Sequence, residues 1–264
     1  MNIFRRELRA YRRGLIIWGV CLFLLVVSGM SKYSAYSAGG TSNEVFDSLP
    51  QTMKALLGFG SFDVAQISGY FALLFLYIEL TVAIHAVLLG SGIIAKEERD
   101  KTVEFLIVKP VSRGTILTAK LLAALVQVIL LNLVTLVSSL VMVSAYNQGE
   151  AITGEILQFM VSLLLVQLIF LTLGMTLAAL LKQPKTSSSI ATGVLLGCFV
   201  ISKITDLADR LKALNVLSPF KYFSYEWIIN GDGLHGGIVS LSLLLVVALV
   251  VVTYRAYRKR ELQV

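Results

Sequence analysis

Six long apolar runs alternate with polar stretches along the chain: 14–30, 67–95, 115–146, 160–181, 187–204 and 236–254. An α-helix needs about 20 mostly apolar residues to cross a hydrocarbon core, so the pattern predicts an all-α membrane protein with six transmembrane helices. The second run is long. The fifth is short and rich in small residues, and the polar turn before it carries Pro184, which marks a break. The first run follows Arg12 and Arg13 and precedes Ala35-Tyr36-Ser37, the layout of a secretory leader. Its apolar length is large for the core of such a leader, and Met1 stands before it, so a retained span is expected.

Between the runs the pattern changes period. Over 1–13, Phe4, Leu8 and Tyr11 fall on one helical face, with Arg5, Arg6, Glu7, Arg9 and Arg12 around the rest. This predicts an interfacial helix in the headgroup layer, its arginines on anionic lipid; the alternative is a plain basic flank. In 31–66, Pro50 opens a short helix with Met53, Leu56 and Leu57 on one face, ended by Gly58 and Gly60. Before the last run, Leu207, Leu211 and Leu214 oppose Asp206, Asp209, Arg210 and Lys212. Then come Leu217-Ser218-Pro219-Phe220-Lys221-Tyr222-Phe223, Tyr225 and Trp227, aromatics that suit an interface belt. Such segments either cap a pathway or anchor loops in the headgroups.

Composition narrows the class. The chain is 56% hydrophobic and 15% charged, with mean hydropathy +0.80. Soluble domains carry about 25% charged residues, and disorder needs low hydrophobicity, so both are excluded. The net charge of +7 is unevenly placed. Arg5, Arg6, Arg9, Arg12 and Arg13 precede span one. Lys96, Arg99, Lys101, Lys109, Arg113 and Lys120 surround the second connection, and Lys182 and Lys185 the fourth. Arg255, Arg258, Lys259 and Arg260 follow span six. The other connections hold only Lys32, Lys54, Lys203, Arg210, Lys212 and Lys221. Basic residues collect in cytoplasmic loops, so both termini are expected in the cytoplasm, and the basic balance records topology rather than nucleic-acid binding. Cys21 and Cys198 lie in apolar runs and read as two buried free thiols.

Glu79 and His85 fall within the second span. A charge there costs at least about 2.5–3.5 kcal/mol, so such residues face a cavity or a partner. Six positions apart, they lie roughly 240° around the helix and do not share a face. They are candidate pathway residues, Glu79 also a candidate proton site; the plainer reading is a hydrogen-bonded carboxyl and a packing imidazole. Gly193 and Gly197 have the small-xxx-small spacing that lets helix backbones approach, within the chain or between subunits. The sequence has no Gly-x-x-x-x-Gly-Lys-Ser/Thr phosphate loop, no His-Glu-x-x-His, no Gly-x-Ser-x-Gly and no clustered zinc ligands. The chain is therefore expected not to be an enzyme, and no cofactor or metal is expected in it.

The stretch 96–120 carries the most specific signal. Val103, Leu106 and Ile107 line one side of a short helix, Glu97 and Lys101 form a supportive (i, i+4) pair, and Pro110 stops the helix. Mixed charge with an apolar stripe suits docking in a partner's groove; a solvated linker needs neither. Glu97-Glu98-Arg99-Asp100-Lys101-Thr102-Val103-Glu104-Phe105-Leu106, then Pro110-Val111-Ser112-Arg113 and Lys120, resembles the cytoplasmic loop of the membrane subunits of type-2 ABC exporters. The six-span layout, the amphipathic start, Leu217-Ser218-Pro219-Phe220 and the Arg-rich tail match too, so the resemblance covers most of the chain. One departure is Lys101, where the family usually has Gly.

The resemblance implies a permease subunit in the cell membrane, of the bacterial cytoplasmic-membrane type. Two permeases, here a homodimer, would assemble with two copies of a separate ABC ATPase that binds ATP and Mg. Residues 96–113 would hold the coupling helix between spans two and three. Glu97, Glu98, Thr102, Glu104 and Phe105 would contact the ATPase, with Pro110 ending the helix and Arg113 holding its exit. Gly193 and Gly197 would lie at the subunit interface. The competing classes are an ion-coupled secondary transporter with Glu79 as proton site and a non-transporting membrane anchor for an ATPase. An inverted repeat would favour the former, and none is visible. The substrate is open.

Overall fold

The computed structural model describes residues 3–37, 50, 53, 63–101, 111–147, 149, 152–181, 183–207 and 209–259. Among the described residues the helices are α1 (Ile3–Met30), α2 (Tyr33–Ser37), α3 (Ile67–Arg99), α4 (Arg113–Tyr146), α5 (Thr153–Leu180), α6 (Pro184–Leu207), α7 (Tyr225–Ile229) and α8 (Gly236–Lys259). Two 3₁₀ turns, Asp209–Leu217 and Pro219–Lys221, precede α7. Six of the helices are long and apolar enough to cross a membrane, so the chain is a multi-pass membrane protein.

The two helices that are apolar all round, α3 and α5, form the centre, as the absence of a polar face requires. They pack along each other; α1 lies on α4, α8 on α5, and α6 on α3. Consecutive spans run in opposite directions. One end of the bundle therefore gathers the starts of α1, α4 and α6 and the ends of α3, α5 and α8. Exposed Arg5, Arg9, Arg12, Arg13, Arg99, Arg255, Arg258 and Lys259 mark this basic end. The far end carries α2, the 3₁₀ turns and α7.

The spans outrun their apolar runs because hydropathy locates the lipid-matched part of a helix, not its ends. The N-terminus is the clearest case. The helix expected over 1–13 is not separate, since α1 is unbroken from Ile3 to Met30. Its Phe4, Leu8 and Tyr11 stripe packs on the bundle core. The Leu207–Leu214 segment is also not an α-helix. Leu211, Leu214 and Leu217 fall every third residue on a 3₁₀ helix, where such positions eclipse, and all three are exposed. Cys21 is exposed on α1, contrary to the buried thiol expected, and both cysteines are free. The short helix expected after Pro50, and most of the loop expected to dock, lie outside the described residues.

Candidate functional site

Both roots of the second connection are described. At its entry α3 ends at Arg99, and Lys101 adopts φ 54, the left-handed position after a helix end. Glycine takes that conformation without a Cβ penalty, so Lys101 holds a backbone position that favours glycine. Lys101 thus lies past the helix end, and the (i, i+4) pairing with Glu97 lacks its helical geometry. At the exit, Ser112 caps α4 by accepting a hydrogen bond from the Thr115 amide at 3.1 Å. Arg113 donates to the Arg258 carbonyl at 3.2 Å, tying this root to the last span.

Between the roots is a buried ionic knot. Glu97, only 6% exposed, pairs with Arg6 at 2.9 Å and with Lys120, which is fully buried. The Lys120 ammonium also donates to the Ile93 carbonyl. Arg6 bridges to the buried Glu7, also at 2.9 Å, and Lys96 approaches Glu7 at 3.9 Å while lying over the Tyr11 ring. Three cations thus share two carboxylates, and α1, the end of α3 and the start of α4 are joined at one point. Isolated charges are too costly to bury; pairing and hydrogen bonding make burial tolerable.

Glu79 occupies a different setting toward the far end. It is 2% exposed and accepts a hydrogen bond from the Tyr225 hydroxyl on α7. The Tyr225 ring meets Phe75 edge-on at 5.5 Å and Phe159 at 5.9 Å. Burial and the adjacent carboxylate push the Tyr225 phenol well above its usual range, so it remains the donor. His85 faces elsewhere, its ring edge-on to Trp18 at 5.3 Å. The two in-membrane residues are not brought together, as their spacing requires.

The glycines separate by environment. A methyl group on Gly193 or Gly197 would meet nothing within 4 Å, and both are exposed on α6 beside Val194, Leu196 and Val200. The backbones of α3 and α5 approach closely at Gly90 and Gly174. A Cβ on Gly90 would come within 2.1 Å of the Leu171 carbonyl oxygen, and one on Gly174 within 2.5 Å of the Val87 oxygen.

Of the residues expected to touch an ATPase, Glu97 faces inward, Glu98 is half-buried and Arg113 is exposed. Thr102, Glu104, Phe105 and Pro110 lie outside the described residues. Sequence reasoning missed Arg6 and Lys120 as partners of Glu97, and Glu7 as the second carboxylate on Arg6, although a lysine inside an apolar run already calls for a counter-charge. It placed Tyr225 in an interface belt; no spacing rule joins it to a residue on a distant span. It also missed Gly90 and Gly174, although Gly90-Ser91-Gly92 is a visible cluster of small residues.

A helical bundle with membrane-length spans, a strongly basic end and a polar loop rooted in buried ion pairs is the framework of a multi-pass transport permease. A family described as ABC-2 family transporter protein matches residues 1–262, and the chain belongs to that family. No curated protein matches it.

Proposed function

We propose that the chain is the permease subunit of an ATP-driven exporter, paired with a second copy of itself and with two copies of a separate ATPase. ABC-2 membrane proteins generally work with an ATPase subunit, and the sequence carries no phosphate loop of its own. The basic end is the cytoplasmic end on this reading, by the bias of Lys and Arg. The observation that carries the coupling role is the ionic knot. It joins both roots of the loop to α1, so a load applied to residues 97–109 reaches three helices together. Glu97 then acts from inside as a positioning residue, while Glu98, Thr102, Glu104 and Phe105 are the proposed contacts with the ATPase. The open α6 face around Gly193 and Gly197 supports the second copy docking there. Coupling arises because the loop docks differently in the two ATPase states.

The test replaces Glu98 and Phe105 in the assembled complex and follows ATP turnover and transport in vesicles. Loss of transport with ATP hydrolysis retained is expected. Unchanged turnover and transport would remove these residues from the coupling path. Transport that runs without ATP on an ion gradient would instead identify a secondary carrier.

A further inference from the structure

The sequence has two histidines and two tryptophans, and the fold sets each histidine against a tryptophan. The two contacts differ. His85 meets Trp18 edge-on within the bundle and is 4% exposed. His235 lies flat on Trp227 at the far end, with ring centroids 4.3 Å apart and planes 13° from parallel. His235 is exposed and Trp227 half-buried, so this imidazole exchanges a proton directly with water.

The stack closes a tight turn. Trp227 lies on α7, and His235 directly precedes α8, its carbonyl accepting from the Ile238 and Val239 amides at 3.0 and 3.1 Å. Between the two rings Gly231 and Gly233 adopt φ 85 and φ 72, positions that favour glycine. The Gly233 amide donates to the Trp227 carbonyl at 3.1 Å. α7 also carries Tyr225, the hydrogen-bond donor to the buried Glu79. The stack therefore ties the short helix that covers Glu79 to the start of the last span.

An aromatic face attracts a cation placed over it, and indole is the strongest of the aromatic side chains in this respect. Histidine side chains change charge between about pH 5 and 8. The charged groups on the surrounding elements favour the cation. They are Glu226 on α7, Asp232 in the turn, Glu155 in the first turn of α5 and Glu79 on α3, all acidic. α5 reaches the turn itself through the uncharged Gln158, which lies against Gly233. Lys221, ahead of α7, is held by Asp206. The N-terminus of α8 opposes a positive charge, but it is one solvent-screened helix end against an indole in contact and four acids.

We propose that His235 and Trp227 form an acid-tightened clasp that holds α7 over Glu79. At low pH the imidazolium lies on the indole face and the clasp is strongest. As pH rises the proton leaves, the cation–π attraction is lost, and α7 keeps its remaining seats. These are Ile228, 1% exposed, and the Tyr225 ring against Phe75 and Phe159. The clasp rests on the proposed cytoplasmic placement of the basic end only for which side it senses, which is then the outside.

The test uses the full-length chain in lipid vesicles buffered alike on both faces. Trp18→Phe leaves Trp227 as the one indole, and a protonated imidazole in contact quenches indole emission. Emission should fall as pH is lowered from 8 to 5, and His235→Gln should make it flat. A nitroxide on Asn230→Cys, in a Cys21→Ser, Cys198→Ser background, reports the hold on α7. Its ratio of mobile to immobile signal should fall on the order of tenfold over the same range, the size of one cation–π contact, and His235→Gln or Trp227→Leu should abolish the change. Emission or mobility that ignores pH, a response that survives in His235→Gln, or a label that loosens in acid overturns the clasp. Neither readout involves an ATPase or transport, so a negative result removes the clasp and leaves the export reading standing.

Discussion

Glu97 and Glu79 lie eighteen residues apart on α3. That is five full turns, so they share a helix face about 27 Å apart. Both are buried carboxylates, yet their settings differ. Glu97 is gripped by a guanidinium and an ammonium from two other helices, and the network continues to Glu7 and Lys96. Glu79 is met by one neutral hydroxyl from a five-residue helix. The difference teaches which end of the span is held by several charges and which by a single hydrogen bond. Several charged partners make every departure costly, whereas a single neutral partner can be replaced.

The contrast can be broken most severely at Glu97. Glu97→Gln leaves the fully buried Lys120 without its counter-ion and should cost about 3–5 kcal/mol, read as a fall in the thermal unfolding midpoint in detergent. Adding Lys120→Met should recover most of that loss. If the double variant is as unstable as the sum of the singles, the pair is not the centre of the knot.

A smaller effect is expected midway between the two ends. Gly174→Ala pushes a methyl against the α3 backbone and should destabilise by about 1–3 kcal/mol, loosening both ends alike. Gly193→Ala, on the open α6 face, should leave subunit stability within about 0.5 kcal/mol. Equal effects at the two sites would erase the distinction between the internal crossing and the open face.

The mildest change sharpens the basic end. Lys101→Gly relieves a left-handed residue at the exit of α3 and should stabilise that helix end by about 1 kcal/mol, seen as slower amide exchange over 96–100. Faster exchange there would mean that Lys101 contributes contacts worth more than its strain.

The spans were legible because lipid imposes a length and an apolar surface that any window of the sequence displays. The family was legible from Glu97 to Arg113 for a similar reason, since the residues that carry the resemblance are contiguous. What escaped was pairing between distant positions. Arg6 meets Glu97 across 91 residues, and Tyr225 meets Glu79 across 146. Local periodicity carries no information about either. The separate interfacial helix was misjudged because the polar face of residues 3–13 was assigned to headgroups, whereas Glu7 turns into the protein. The Leu207–Leu214 segment was misjudged because a 3.6-residue period was read into a chain that winds at three.

Spin-label distances in vesicles test the contrast between the tightly held basic end and the lightly held far end most directly. One label pair, at exposed Arg9 and Leu122, spans α1 and α4 at the basic end. The other, at exposed Leu157 and Asn230, spans α5 and the end of α7. In the proposed complex with an ATPase, trapping the nucleotide-bound state should leave the first distance in place and lengthen the second. A shift in the first with the second unchanged would contradict the account, placing the hinge at the knot and the rigid joint at Glu79.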